Sequence, residues 1–170
     1  MGNNKKKILS RLGEVNMKLQ TGFIVLAHIE DVAAKIYENS SVLSDKERNR
    51  VLKIFAEEER KDKVQILNFA NNEYLKNQEL DNQFYELFKN ALSYITTNGK
   101  ELHLMSQKDF FGFALQEEKN SYEIYTALLQ HCKDDNLSNI VVDDLIKNKQ
   151  KRMFFILDQL YEYNDLSLSN

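Results

Sequence analysis

The feature that most constrains this chain is a run of residues at steps of three and four: Leu52, Phe55, Glu59, Asp62, Ile66 and Phe69. Side chains at that spacing line one stripe of an α-helix, the stripe that faces a neighbour. The outer members are apolar and the two central ones are carboxylates. A charge on a core-facing stripe is costly unless it meets a counter-charge, a proton or a metal. Whatever this chain folds into must therefore supply something to meet Glu59 and Asp62.

The same interruption recurs on three other stripes. Leu19, Phe23, Leu26, Glu30, Ala33 and Tyr37 form one. Phe111, Ala114, Glu118, Ser121, Tyr125 and Leu128 form another, and Val142, Leu145, Lys149, Arg152, Ile156 and Gln159 the last. Each is apolar at its start and charged near its middle. Packed together, four such helices gather Glu30, Glu59, Asp62, Glu118, Lys149 and Arg152 into one interior layer. Four negative charges against two positive leave a deficit that a shared proton, ordered water or one residual cation would fill.

The spacing predicts long helices over 19–40, 45–76, 107–131 and 138–161, preceded by an extension over 1–18. The short link Ser41-Val42-Leu43 implies an antiparallel hairpin. Ser44-Asp45-Lys46-Glu47 reads as a capping box with Ser44 as the cap, and Ser106 and Ser138 read as caps of the third and fourth long helices. Phe84, Leu87, Phe88, Ala91, Leu92 and Ile95 keep helical spacing, so an amphipathic helix over 79–97 should carry the crossover, stopping at Gly99. Its aromatics Phe84, Tyr85, Phe88 and Tyr94 either cover the interior or form a dimer surface. An internal repeat sets Glu30, Ala33 and Tyr37 against Glu118, Ser121 and Tyr125, and Glu59 and Asp62 against Lys149 and Arg152. The fold expected is all-α: two antiparallel hairpins joined by a long crossover.

Composition agrees and excludes several functions. Proline is absent from all 170 residues, which suits uninterrupted helices. A net charge of −3 gives no global basic field for nucleic acid, and Lys5-Lys6-Lys7 reads as a solvated tail beside the weak apolar pattern of Ile8, Leu9, Leu12 and Val15. Arg11 interrupts the apolar run too early for a secretory signal core. Lys6 stands where a myristoylation motif needs Ser or Thr. Phe23 to Ala27 is too short to span a membrane. The single Cys132 cannot form an internal disulfide, which fits the cytoplasm. None of His28, His103 and His131 has a carboxylate three or four residues before it, the spacing that a Glu-x-x-His metal motif uses.

On these residues the chain resembles the rubrerythrin branch of the ferritin-like proteins, from about Leu19 to Tyr161. The resemblance implies a four-helix bundle holding two irons on Glu, Glu-x-x-His, Glu and Glu-x-x-His motifs, with activity in peroxide reduction or oxygen-dependent iron chemistry. It sets Glu30 and Glu118 in the first and third ligand positions and Glu59 in the second. Asp62 stands where His belongs, Tyr37 and Tyr125 match the aromatics that follow each Glu, and no Cys-x-x-Cys module is present. On the fourth helix Lys149 stands for Glu and Arg152 for His. Both are cationic at neutral pH and repel a metal.

The reading is therefore a degenerate di-iron site in which Lys149 and Arg152 pair with the carboxylates, Arg152 through two parallel hydrogen bonds to one of them. No cofactor is expected. The function expected is a non-catalytic structural or interaction role, with a homodimer or another protein as partner and neither membrane nor nucleic acid. The alternative is an iron- or manganese-dependent oxidoreductase acting through Glu30, Glu59, Asp62 and Glu118.

Overall fold

The computed structural model describes residues 17–132 and 136–168. The basic run, the apolar pattern of the extension and the link Lys133–Asp135 lie outside them. The order is β1 (Met17–Lys18), α1 (Leu19–Val42), α2 (Lys46–Ala70), α3 (Glu73–Asn77), β2 (Glu79–Leu80), α4 (Gln83–Asn98), a 3-10 helix (Gly99–Leu104), α5 (Gln107–His131) and α6 (Asn136–Leu168). The described residues are all-α apart from one two-stranded antiparallel pairing, Met17 with Leu80 and Lys18 with Glu79.

The most extensive helix contacts are α1 with α2 and α5 with α6, so each short link closes a hairpin. The stripes predicted from spacing point inward, apart from the half-buried Gln159 at the end of the last. Leu19, Phe23, Leu26, Leu52, Phe55, Ile66, Phe111, Ala114, Leu128, Val142, Leu145 and Ile156 are buried. The charged layer lies between two aromatic floors. On one side Phe23 meets Phe69 edge-on at 5.1 Å. On the other, Phe55 contacts Tyr37 at 5.5 Å and Phe110 at 6.0 Å. Such pairs add about 0.5–1.5 kcal/mol beyond the area they bury.

Several boundaries differ from the sequence reading. α1 runs two residues past 40, to Val42. α2 stops at Ala70 rather than 76, because Asn71 and Asn72 turn the chain and the Asn72 side chain caps the short α3. Its last carbonyl is taken by Gln20 Nε2, which donates to Ala70 O at 2.9 Å. The crossover helix begins at Gln83, not 79, since Glu79 and Leu80 are held in the strand pair. α6 starts at Asn136, before Ser138, and continues to Leu168. Ser106 does cap α5, accepting from Asp109 N at 3.1 Å.

The predicted capping box does not form, and the cap lies one residue further on. Asp45 is the cap of α2, accepting from Arg48 N at 2.9 Å. The Ser44 hydroxyl instead donates to Ser40 O at 2.8 Å and closes the end of α1. Phe84 and Phe88 are buried and face the core, while Tyr85 and Tyr94 are half-buried. Large exposed apolar residues lie elsewhere: Val42 and Leu43 at the α1–α2 link, Ile54 on α2, and Phe154, Phe155 and Tyr161 on α6.

Asp45→Ala removes the acceptor for an otherwise unpaired amide. It is expected to lower unfolding free energy by about 1 kcal/mol, read from the urea midpoint. Loss of the Ser44 hydroxyl should leave the α2 cap intact.

Candidate functional site: a buried layer of carboxylates and cations

Each long helix delivers charge to one level of the interior. α1 supplies Glu30, α2 supplies Glu59 and Asp62, α5 supplies Glu118, and α6 supplies Lys149 and Arg152. All six are buried. Lys149 Nζ stands at the centre, 2.9 Å from Glu30 Oε2, 2.8 Å from Glu59 Oε2, 3.4 Å from Glu118 Oε2 and 3.6 Å from Asp62 Oδ2. It donates hydrogen bonds to the first two. Arg152 lies beside it. Its fork does not clasp one carboxylate, as expected from sequence, but bridges two. Nε donates to Glu118 Oε1 and Nη2 to Asp62 Oδ2, each at 2.6 Å. Asp62 and Glu118 sit on opposite hairpins, so the guanidinium links them.

The tyrosines complete the layer. Tyr125 OH donates to Glu30 Oε1 at 2.7 Å. The internal repeat would pair Tyr37 with Glu118, but its hydroxyl donates to Glu117 Oε2 at 3.4 Å. Glu117 is the functional residue that sequence reasoning missed. It is fully buried and also accepts from Ser121 Oγ at 3.4 Å. Its signal was a second stripe on α5, Phe110, Phe113, Glu117 and Ile124, all buried. That stripe is covered because the crossover helix lies on α5, with Tyr94 stacked on Phe113 at 5.4 Å.

Five carboxylates now oppose two cations, leaving three negative charges to neutralise. Protons meet most of that excess. Burial pushes the Glu117 carboxyl far above its ordinary range, and the nearby Glu59 charge adds to it. Burial does the same to Glu30, where the pull of Lys149 falls short and a hydrogen bond to Glu59 favours the protonated form. Burial raises Glu118 to about 7, against the opposing pull of Lys149. Glu59 goes the other way: burial opposes its charge, but Lys149 and Arg152 outweigh burial and hold it well below the carboxylate range. Lys149 and Arg152 stay charged. Burial works against both, yet the surrounding carboxylates raise each above its ordinary value. Burial, then Glu117 and Glu30 respectively, likewise hold Tyr37 and Tyr125 protonated.

No family model, curated protein or solved structure matches this chain. The chemistry of the layer has to be read from its own residues. The oxygens of Glu30, Glu59 and Glu117 that could ligate lie within 4.8 Å of one another. The full donor set does not fit two metal ions, because an ammonium and a guanidinium already fill the space between the carboxylates. The histidines stand elsewhere: His28 is exposed on α1, His103 lies in the 3-10 helix, and His131 lies against Phe84 at the end of α5.

Three predictions rest on this charge state. Glu118, Glu30 and Glu117 bind protons more tightly folded than unfolded, so their stabilisation is present below the ordinary carboxyl value of 4.5 and is lost as pH rises through the folded values. The Glu59 contribution changes only below that window. Unfolding free energy should therefore fall from pH 5 to pH 8, with Glu118 alone contributing on the order of 3 kcal/mol, as read by urea titration at several pH values. At pH 7, Glu117→Gln should cost no more than about 1 kcal/mol, because it replaces one neutral hydrogen-bonding group with another. Arg152→Met should cost about 3–5 kcal/mol, because it strands Asp62 and Glu118.

Proposed function

We propose that this chain is a ferritin-like four-helix bundle of the rubrerythrin kind whose di-iron centre has been replaced by side-chain cations. In this reading it is a non-catalytic structural or interaction protein. The observation that carries it is the seat of Lys149. One ammonium lies within 3.6 Å of four carboxylates drawn from three helices, fully out of water. Arg152 takes a second position between Asp62 and Glu118. Further support comes from the order of the elements, with two helical hairpins and a long crossover carrying its own amphipathic helix.

The physical argument for lost chemistry is direct. A redox metal needs ligands with free lone pairs and an open position for oxygen or peroxide. Here Glu30 Oε2 and Glu59 Oε2 accept from Lys149, and Glu30 Oε1 accepts from Tyr125. Tyr37 and Tyr125, protonated and hydrogen-bonded to carboxyl groups, act as walls of the layer. No helix among the described residues is long and apolar enough to cross a membrane, and the single Cys132 is buried. A cytoplasmic setting and a protein partner, including a second copy, complete the proposal.

The alternative is a metal-dependent oxidoreductase with a reduced site. Its support is the triad Glu30, Glu59 and Glu117, whose oxygens are close enough to share one ion. Elemental analysis after anaerobic Fe(II) reconstitution tests both. The expected result is no iron per folded chain. One iron per chain would favour the reduced site, and two would overturn the replacement of iron by side-chain cations.

A further inference from the structure

We propose that the Lys149 ammonium occupies the seat of one hard divalent cation, and that this side chain, not Arg152, is what keeps such an ion out. The inference rests on the side-chain-cation reading above and adds which cation holds the seat. Four carboxylates converge on one atom, Lys149 Nζ, from α1, α2 and α5. An ammonium has three protons to donate, too few for that many acceptors. Lys149 donates to Glu30 and Glu59 alone, and two buried oxygens accept no hydrogen bond: Glu118 Oε2, and Glu59 Oε1, which lies 3.6 Å from Arg152 Nη2. Glu118 Oε2 still faces Nζ at 3.4 Å. A divalent ion such as Mn²⁺, Mg²⁺ or Ca²⁺ takes about six or more oxygen ligands and would use these atoms. Every donor is an oxygen, which selects hard ions over soft ones.

Arg152 plays a different part. Its planar group sits at the rim of the layer, slightly exposed, with Nε on Glu118 and Nη2 on Asp62. Removing it opens the rim but leaves the ammonium among the carboxylates. Removing Lys149 instead leaves an oxygen-lined space of side-chain size, with the Glu30, Glu59 and Glu117 oxygens still within 4.8 Å of one another.

The experiment uses the full chain as wild type, Lys149→Ala and Arg152→Met, each titrated with Mn²⁺. Bound metal is counted by loss of the free-ion EPR signal, and Tm is read with and without millimolar Mn²⁺. Lys149→Ala is expected to bind one Mn²⁺ per chain and to gain Tm in its presence, while wild type and Arg152→Met bind none. If Lys149→Ala does not fold alone, it is refolded with Mn²⁺, where a seated ion stabilises the folded state by mass action. A variant that stays unfolded at saturating Mn²⁺, or folds and binds none, overturns this inference and leaves the side-chain-cation reading standing. Mn²⁺ bound by Arg152→Met as tightly as by Lys149→Ala overturns the assignment to Lys149. Mn²⁺ bound by wild type overturns both the inference and the reading beneath it.

Discussion

The ammonium of Lys149 inside a ring of carboxylates is the interaction on which the rest of the structure depends. Removing a charge from water costs several kcal/mol even after relaxation. The interior accepts that cost because α1, α2 and α5 each bring a carboxylate to the same point. Arg152 extends the arrangement by joining the two hairpins through Asp62 and Glu118. The helix register is thereby fixed twice, once by apolar stripes and once by charge. Sliding α6 by one residue would carry both cations off the face that the carboxylates share.

Protonation is the second requirement. Side-chain cations balance only part of the negative charge, and the remainder is removed by holding carboxyl groups neutral. Burial does this for Glu117 and Glu30, and partly for Glu118. The layer therefore divides its carboxyl groups by role. Glu59 stays anionic beside Lys149 and Arg152, while Glu117 takes bonds from Tyr37 and Ser121 as a neutral group. The same low-dielectric surroundings that penalise charge keep the phenols protonated.

Much of this was legible in the sequence, because the anomaly was periodic. Steps of three and four placed Glu30, Glu59, Asp62, Glu118, Lys149 and Arg152 on inward stripes, and all six are buried. The misses have local causes. Glu117 lies off the main stripe of α5, and α5 is covered on two sides because the crossover helix lies against Phe113. The split fork of Arg152 depends on the distance between hairpins, which no helical period encodes. Asp45 and Ser44 both suit the role of cap, and the Ser44 hydroxyl is engaged by the Ser40 carbonyl instead. The strand pair over Glu79 and Leu80 has its partner in Met17 and Lys18, far away in sequence, so no local pattern marks it.

That strand pair carries a consequence for assembly. It closes the first hairpin into a loop, reinforced by Leu19 N donating to Gln78 O at 2.9 Å and by the Lys18–Glu79 ion pair at 2.8 Å. The clasped half, from Met17 to Leu80, is held by the α1–α2 pairing and by this clasp. Yet it carries Glu30, Glu59 and Asp62 on its inner face and none of their buried cations, which sit on α6. On that face this half by itself holds three carboxylates and no buried cation. α6 supplies both cations, so it serves the fold as its counter-ion as much as its fourth wall.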